Sequence, residues 1–265
     1  MGSERATDQL HTWIRECVSD LRDRENFEVI KEEASHLLLL FGLCARTIRY
    51  ADAYESLVDS GFSPEASPIA RAALEHALTA QWVFLREGGL AKFRVASARS
   101  HKEHYEKLAA WSDNAELKRE IGNIPAIPAG KSMPKFMDVL RDLDQDNYLE
   151  TQYALLSQSV HVTHSAVFSY LSWNDGYEFK YEQDDPWAFQ TTYVVAISCM
   201  LASWVIASLT NDMDRLSLLD QVSEELTLPM NLEDALPLLL RRKRPSATGS
   251  SDPVHDRSGT VERPH

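Results

Sequence analysis

The sequence predicts an all-α protein, an up-and-down bundle of about six or seven helices followed by a disordered C-terminal tail. Apolar residues recur at three- and four-residue spacing along most of the chain. Only 10 glycines and 11 prolines interrupt its 265 residues, too few for the frequent turns of a many-stranded β protein. Hydrophobic residues make up 44% of the chain, which is ordinary for a globular domain with a core. We therefore expect one helical domain over residues 1–244 and a polar tail over 245–265.

Four helices are predicted in the first half of the chain. The first has charged residues between regularly spaced apolar ones, and the second is apolar on nearly every side over its first half. Ser67 is a predicted N-cap for the third helix, with Pro68 at its first helical position. Glycines follow the second and third helices and end them. These helices cover about residues 10–21, 28–60, 67–88 and 90–114.

The second half begins with a loop over residues 119–134, where three prolines and two glycines interrupt any helix. Asn174-Asp175-Gly176 is a turn signal, and alternating residues after it indicate a short hairpin or extended arm. Pro245 ends the last predicted helix, and the residues beyond it lack the apolar content to fold. Helices are predicted over about residues 134–143, 147–173, 187–209, 212–226 and 232–242.

The uncharged stretch Trp187–Leu209 is 23 residues long, enough to span a bilayer. We interpret it as a central core helix, because it contains several Thr, Ser and Gln residues and both of its flanks are acidic. No membrane association is therefore expected. Three isolated cysteines lie among apolar residues and are predicted to be buried, reduced thiols: Cys17, Cys44 and Cys199. The N-terminus has no apolar signal-peptide segment. These features predict a cytoplasmic protein.

The formal net charge of −13 argues against a protein that coats nucleic acid, because such binding draws on a basic surface. A local basic site remains open, and Arg241–Arg244 is the densest basic run. This run could contact RNA, an anionic surface or a second protomer. Alternatively, its cations simply lie favourably at a helix C-terminus.

The first candidate site is a polar stripe on the helix predicted from Asn147. Tyr153, Ser157, His161 and His164 follow one another at spacings of four, four and three residues, which places them on one helical face. A histidine beside hydroxyl groups is suited to general acid–base chemistry. The alternative is that these side chains lie in the core and hydrogen bond to neighbouring helices.

The second candidate site lies on the helix predicted from Ser67. Arg71 and Glu75 are four residues apart and can form an ion pair on one face, with His76 beside them. If that face is exposed, the pair is a solvated salt bridge. If it turns inward, the pair is a buried polar group that needs further partners, such as the stripe around His161.

Arg71-Ala-Ala-Leu-Glu75 and, further on, Tyr153-Ala-Leu-Leu-Ser157-Gln-Ser-Val-His161 resemble a bacterial helical family, domain of unknown function 5677. That family resembles the HEPN superfamily of four-helix bundles, many of which are metal-independent ribonucleases that work as paired protomers. The resemblance implies that His161 moves a proton while an arginine steadies the phosphate. The arginine that normally precedes the histidine by a few residues is missing, so Arg71 would supply the charge.

Three functional hypotheses follow. The first is an RNA-acting, HEPN-like protein, a possible ribonuclease or component of defence or toxin–antitoxin systems, with Ser157 or Tyr153 in a positioning role. The second is a non-catalytic bundle that binds a ligand or a partner protein. The third is a metal-dependent oxygenase built on His161, His164 and Glu75. We expect a homodimer, no cofactor and no bound metal, since neither histidine has a third ligand in the sequence.

Overall fold

The computed structural model describes residues 2–24, 27, 29, 33–173, 176–180, 185–237 and 241, and it confirms an all-α fold. Within these residues seven helices are thirteen residues or longer: α1 (Gly2–Asp23), α2 (Ala34–Asp59), α3 (Ser63–Leu85), α4 (Gly89–Ser112), α7 (Tyr148–Val160), α9 (Ala188–Thr210) and α10 (Met213–Leu226). The shorter elements are α5 (Ala115–Asn123), α6 (Phe136–Leu143), α8 (His164–Phe168), a 3-10 turn (Glu233–Ala235) and the strands β1 (Leu171–Trp173) and β2 (Tyr177–Phe179).

The core is built around α9, which packs against α1, α2 and α3. One hydrogen bond from each of these three helices ties it to α9. Trp13 Nε1 on α1 donates to the carbonyl oxygen of Ala196 at 3.3 Å. The Tyr54 hydroxyl on α2 lies 2.9 Å from Thr192 Oγ1, and Gln81 Nε2 on α3 donates to the Leu201 carbonyl oxygen at 3.0 Å. These three bonds pair buried polar groups across the interfaces of α9 with α1, α2 and α3.

The first three helices run up and down. His11 in the middle of α1 contacts Glu55 near the end of α2, and Arg22 near the end of α1 contacts Asp52, which lies earlier in α2, so the two helices are antiparallel. A three-residue turn then reverses the chain into α3. Helices α4 to α8 and the hairpin then form one long crossover connection between α3 and α9, in which α6 and α7 pack against α3 and add buried residues to the core. As a result, α9 runs in the same direction as α3, and the two helix N-termini meet where Ser63 contacts Asp185.

Helix α9 is long and apolar enough to span a membrane, but 89% of its most apolar window is buried inside the protein. It is therefore the central core helix that the sequence predicts. Cys17, Cys44 and Cys199 are free thiols buried around it, also as predicted. Burial raises the pKa of the Cys44 thiol to about 12, so this group stays protonated and packs as a small apolar side chain.

Two predicted boundaries in the first half are wrong. Helix α3 begins at Ser63, one turn before the predicted N-cap, because Pro64 already fits its first turn and Pro68 is accommodated inside the helix. The loop predicted from residue 119 begins only after Asn123. The reason is that the Asn114 side chain caps α5, accepting hydrogen bonds from the backbone amides of Glu116 and Leu117.

The single helix predicted over residues 147–173 is also wrong. Helix α7 ends at Val160, α8 is a separate short helix, and β1 pairs antiparallel with β2 in the predicted hairpin. Hydroxyl groups compete with the backbone for the last carbonyls of α7. Ser157, Ser159 and Thr163 donate to the carbonyl oxygens of Tyr153, Leu156 and Gln158 at 2.6, 2.7 and 3.0 Å.

The last predicted helix, over residues 232–242, is replaced in the described residues by the 3-10 turn. Pro237 lacks the amide proton for a helical bond, and the preceding Leu236 is extended with ψ 136°. Arg241 pairs in an isolated β-bridge with Arg86. The rest of the basic run, residues 242–244, and the predicted disordered tail, residues 245–265, lie outside the described residues.

Candidate functional site

Helices α3 and α7 meet at a cluster of three polar side chains, Arg71, Glu75 and Tyr153, which we call the polar cluster. Arg71 Nε donates to Glu75 Oε1 at 3.0 Å, and Arg71 Nη2 donates to the Tyr153 hydroxyl at 2.6 Å. The same hydroxyl donates to Glu75 Oε1 at 2.8 Å. Because each member contacts both others, the cluster is a closed triangle that holds α7 against α3.

The ring of Tyr153 completes the polar cluster. The Arg71 guanidinium carbon lies 4.7 Å from the ring centroid, within cation–π distance, and the Phe136 ring of α6 packs at 5.0 Å. Burial raises the pKa of Tyr153, and its hydrogen bond to the Glu75 carboxylate raises it further against the opposing effect of Arg71. The hydroxyl therefore stays protonated at neutral pH and keeps both hydrogen bonds.

Two other predicted site residues, His76 and Ser157, contact carbonyl oxygens within their own helices. His76 Nδ1 contacts the Ala72 carbonyl oxygen at 2.8 Å, and its ring packs on Tyr50 of α2 at 5.3 Å. Ser157 gives its proton to the carbonyl oxygen of Tyr153 within α7. In the described structure His76 shares no hydrogen bond with the polar cluster, and Ser157 contacts only the main-chain oxygen of Tyr153, so these two residues do not join the polar cluster through their side chains.

The two predicted histidines lie beyond the end of α7. His161 follows its last residue with extended backbone, φ −101° and ψ 156°, and His164 begins α8 and stacks on Phe168 at 4.3 Å. Tyr153 and His161 are eight residues apart, which is about 12 Å along a helix. The predicted single stripe therefore breaks after Ser157, and Arg71 pairs with Tyr153 and Glu75 instead of the His161 end.

The metal site of the oxygenase hypothesis would need His161, His164 and Glu75 to lie close together. Glu75 is held in the polar cluster beside Tyr153, about two turns of α7 before that helix ends, and His161 and His164 lie beyond this end. Across the described parts of the chain, no group of three or more His, Cys, Asp or Glu side chains is arranged to hold a metal ion. The geometry of the described residues therefore gives no support to the oxygenase hypothesis.

A cleft lies next to the polar cluster, between the N-terminal ends of α3 and α9 and the C-terminal half of α7. Its volume is about 580 Å³, within the range of small-molecule sites. Apolar side chains form much of its wall, and Tyr170 and Trp187 add aromatic rings. The described lining residues are Pro64, Glu65, Ser67, Pro68, Leu155, Leu156, Gln158, Ser159, Ser169, Tyr170, Asp185, Pro186, Trp187 and Thr191.

Two hydroxyl groups of this cleft have no hydrogen-bond partner among the described residues. Thr191 is only 1% exposed, and its Oγ1 atom is buried without a partner. Ser67 is also buried, and no hydrogen bond to its hydroxyl is found in the described structure. Buried polar atoms without partners destabilise a fold by about 1–3 kcal/mol each, which makes such atoms informative where they line a cavity.

The charged side chains of the cleft are acidic. Asp185 accepts hydrogen bonds from Ser63 Oγ at 2.5 Å and from the Trp187 amide at 3.0 Å, which fix its carboxylate at the N-terminus of α9. Glu65, on α3, is exposed and accepts from the Tyr170 hydroxyl at 3.5 Å. The described lining residues include no Lys, Arg or His to neutralise these two carboxylates.

Sequence reasoning found the polar cluster and missed the cleft. Gln190, Thr191 and Thr192 counted only as evidence that the α9 stretch is not a membrane span, and Asp185 only as part of its acidic flank. A polar run at one end of an otherwise apolar helix is a usable signal, since such residues need partners inside the protein. The sequence cannot tell that Thr192 has a partner and Thr191 has none.

Comparison with known proteins gives one match. Residues 37–179 match the family described as Family of unknown function (DUF5677). No curated protein and no solved structure matches the chain. The matched region runs from α2 to β2 and contains the whole polar cluster, whereas Thr191 and the rest of α9 lie outside it. Because the match covers more than half of the chain, the protein belongs to the DUF5677 family.

Proposed function

We propose that this protein is a non-catalytic, ligand-binding helical bundle whose binding site is the cleft between α3, α7 and α9. The observation that carries this proposal is the buried, unpartnered Thr191 hydroxyl on the wall of the cleft. A folded protein tolerates such a group where a ligand supplies the missing partner. In this proposal the polar cluster has a positioning role and sets the spacing of α3 and α7.

The polar cluster supports the proposal through its geometry. Helix α7 runs antiparallel to α3, so that Tyr153 meets Arg71 while Leu156 and Pro68 face the cleft together. The Arg71–Tyr153 hydrogen bond thus lies about one turn of α7 from the cleft wall. Loss of that bond should change the spacing of α3 and α7, and with it the width of the cleft, without removing any group that contacts the ligand.

A cleft-filling variant tests this function. Leu155 is half-buried on the cleft wall, so we expect Leu155→Trp to fill the space. Leu218→Trp is the matched control, because Leu218 is exposed on α10. In a ligand-observed NMR screen of cationic, neutral and anionic small molecules, binders of the wild type should persist with Leu218→Trp and vanish with Leu155→Trp. A screen in which Leu155→Trp removes no binder of any charge would overturn the proposed function.

One observation favours a second candidate, the RNA-acting function that the HEPN resemblance implies. Arg71 Nη1 has no hydrogen-bond partner in the described part of the protein, although the other two nitrogens of this guanidinium are engaged. A free guanidinium N–H beside the Tyr153 hydroxyl suits a phosphate oxygen. The neighbouring Glu75 carboxylate opposes this role, since it already offsets the charge of Arg71.

The second candidate has a direct test. Single-stranded RNA incubated with the protein in the presence of a chelator should be cleaved, and Arg71→Ala and His161→Ala should each abolish the cleavage. Intact RNA at stoichiometric protein concentration would exclude the candidate. The homodimer that accompanies it is a separate prediction, which sedimentation equilibrium checks.

A further inference from the structure

We propose that the cleft takes a small organic cation, a protonated amine that carries an aryl or branched apolar group. This inference rests on the proposed ligand-binding function and names the class of ligand. Its basis is the combination of two carboxylates, an apolar and aromatic wall, and a buried hydroxyl without a partner in a single cavity.

The charge of the cleft selects for a cation. Glu65 and Asp185 lie on the α3 and α9 sides, and the described lining residues hold no basic side chain to balance them. An ammonium group between two carboxylates forms charge-assisted hydrogen bonds, which are stronger than bonds between neutral groups. An anion in the same place would meet two like charges, which oppose its binding.

The apolar lining of the cleft indicates that the ligand carries an apolar group. Pro68, Leu155 and Leu156 offer apolar contacts, so an ammonium ion alone would leave most of the cavity unfilled. Trp187 and Tyr170 also line the cavity, and aromatic rings attract both apolar groups and cations. A cation with an apolar group of about the size of an aromatic ring satisfies both requirements.

The hydroxyl groups of the cleft would orient the ammonium group of the ligand. Thr191 Oγ1 has almost no accessible surface, so it can accept a hydrogen bond from an ammonium N–H only after its side chain rotates about χ1, whereas Ser67 Oγ on the facing helix is not fully buried and can accept one directly. Neighbouring Thr192 shows that α9 pairs its hydroxyls where it has partners, because Thr192 contacts both Tyr54 and the Ala188 carbonyl oxygen. Thr191 thus differs from Thr192 in having no partner among the described residues, and of the two it is the one that lines the cleft.

Three probes of matched shape and different charge test the proposal. They are 2-phenylethylammonium, 2-phenylethanol and phenylacetate, each titrated into the full chain at pH 7 and followed by ligand-observed NMR. We expect saturable binding of the cation, binding of the neutral alcohol about tenfold weaker because it forms no charge-assisted bonds, and no binding of the anion.

Variants place the binding in the cleft. Glu65→Gln and Asp185→Asn each remove one negative charge, and each should weaken binding of the cation several-fold while leaving binding of the alcohol unchanged. Thr191→Val should weaken binding of the cation and the alcohol alike, because both can use the hydroxyl. Glu116→Gln, on the exposed face of α5, is the matched control and should change nothing.

The outcomes separate this inference from the proposed function. If phenylacetate or the alcohol binds as well as the cation, and Leu155→Trp removes that binding, then the cleft is a ligand site but the assignment to cations is wrong. If the cation binds equally well to the Glu65→Gln, Asp185→Asn and Thr191→Val variants, its site lies elsewhere and the inference is overturned. Absence of binding by all three probes at millimolar concentration also overturns it, whereas the proposed function then depends on the wider screen.

Discussion

The polar cluster and the cleft lie side by side between α3 and α7, but they differ in whether their polar side chains have hydrogen-bond partners inside the protein. In the polar cluster Arg71, Glu75 and Tyr153 satisfy one another within 3.0 Å. In the cleft Thr191 Oγ1 has no partner and two carboxylates face a cavity without a described basic residue. The polar cluster, which is the more conspicuous of the two in the sequence, therefore needs no ligand to account for its side chains, whereas the cleft contains a polar group that the described part of the protein leaves unpaired.

The difference is energetic. A closed set of hydrogen bonds stabilises the fold, whereas an unpartnered buried hydroxyl destabilises it by roughly the desolvation of one polar group. Thr191, which lines the cleft, shows the second arrangement, whereas the neighbouring Thr192 is paired in the core. Stability measurements should therefore distinguish the two regions.

The largest expected effect is in the polar cluster. Tyr153→Ala removes the ring contacts with Arg71 and Phe136 and both hydrogen bonds of the hydroxyl, and it leaves Glu75 with one partner fewer. We expect the free energy of unfolding in urea to fall by about 3 kcal/mol. Tyr153→Phe keeps the ring and should lose only about 1 kcal/mol. Equal losses for the two variants would show that the ring contributes nothing.

A smaller effect is expected for the paired hydroxyl on α9. Thr192→Val conserves the side-chain shape but removes the hydrogen bonds to Tyr54 and to the Ala188 carbonyl oxygen. Because this leaves a buried tyrosine hydroxyl unpaired, the free energy of unfolding should fall by about 1–2 kcal/mol. An unchanged urea midpoint would mean that this hydroxyl is not held as the structure shows.

The alkaline pH dependence gives a finer measure of the polar cluster. The pKa of Tyr153 is raised by burial and by Glu75, so its stabilising contribution is complete below the ordinary tyrosine pKa of about 10. As the pH rises through the folded-state pKa, that contribution is lost. The difference in unfolding free energy between wild type and Tyr153→Phe should narrow from pH 9 to pH 11. A difference that stays constant over this range contradicts the raised pKa.

The smallest expected effect is at Thr191. Thr191→Val replaces an unpartnered hydroxyl with a methyl group of similar shape, so it should leave the free energy of unfolding unchanged or raise it by up to about 1 kcal/mol. Thr192→Val is the matched control one position along the same helix. A loss at Thr191 as large as that at Thr192 would show that the Thr191 hydroxyl has a partner inside the protein.

Periodicity predicted the helical fold and the core role of α9 because both depend on where apolar residues recur. The pairing of Arg71 with Glu75 was also predictable, since it depends only on a four-residue spacing within one helix. The partner of that pair on α7 is Tyr153 and not His161, because α7 ends at Val160. The hydroxyl groups that compete for its last carbonyls left no clear signal in the apolar pattern.

The cleft was beyond prediction from the sequence for a different reason. Its lining residues come from segments more than a hundred residues apart, which meet only because the long crossover brings the start of α9 beside the start of α3. The absence of a partner for Thr191 is a property of that three-dimensional packing. No spacing along the chain records it.

The central claim is that the cleft binds a ligand and the polar cluster does not. A titration of the methyl-labelled protein with 2-phenylethylammonium, followed by NMR, reads both regions at once. We predict saturable shifts of the Leu155, Leu156 and Thr191 methyl signals, and unchanged signals from Ala72 and Leu78 on the part of α3 beside and beyond the polar cluster. Unchanged cleft signals at saturating probe, or shifts centred on Ala72, would contradict the claim.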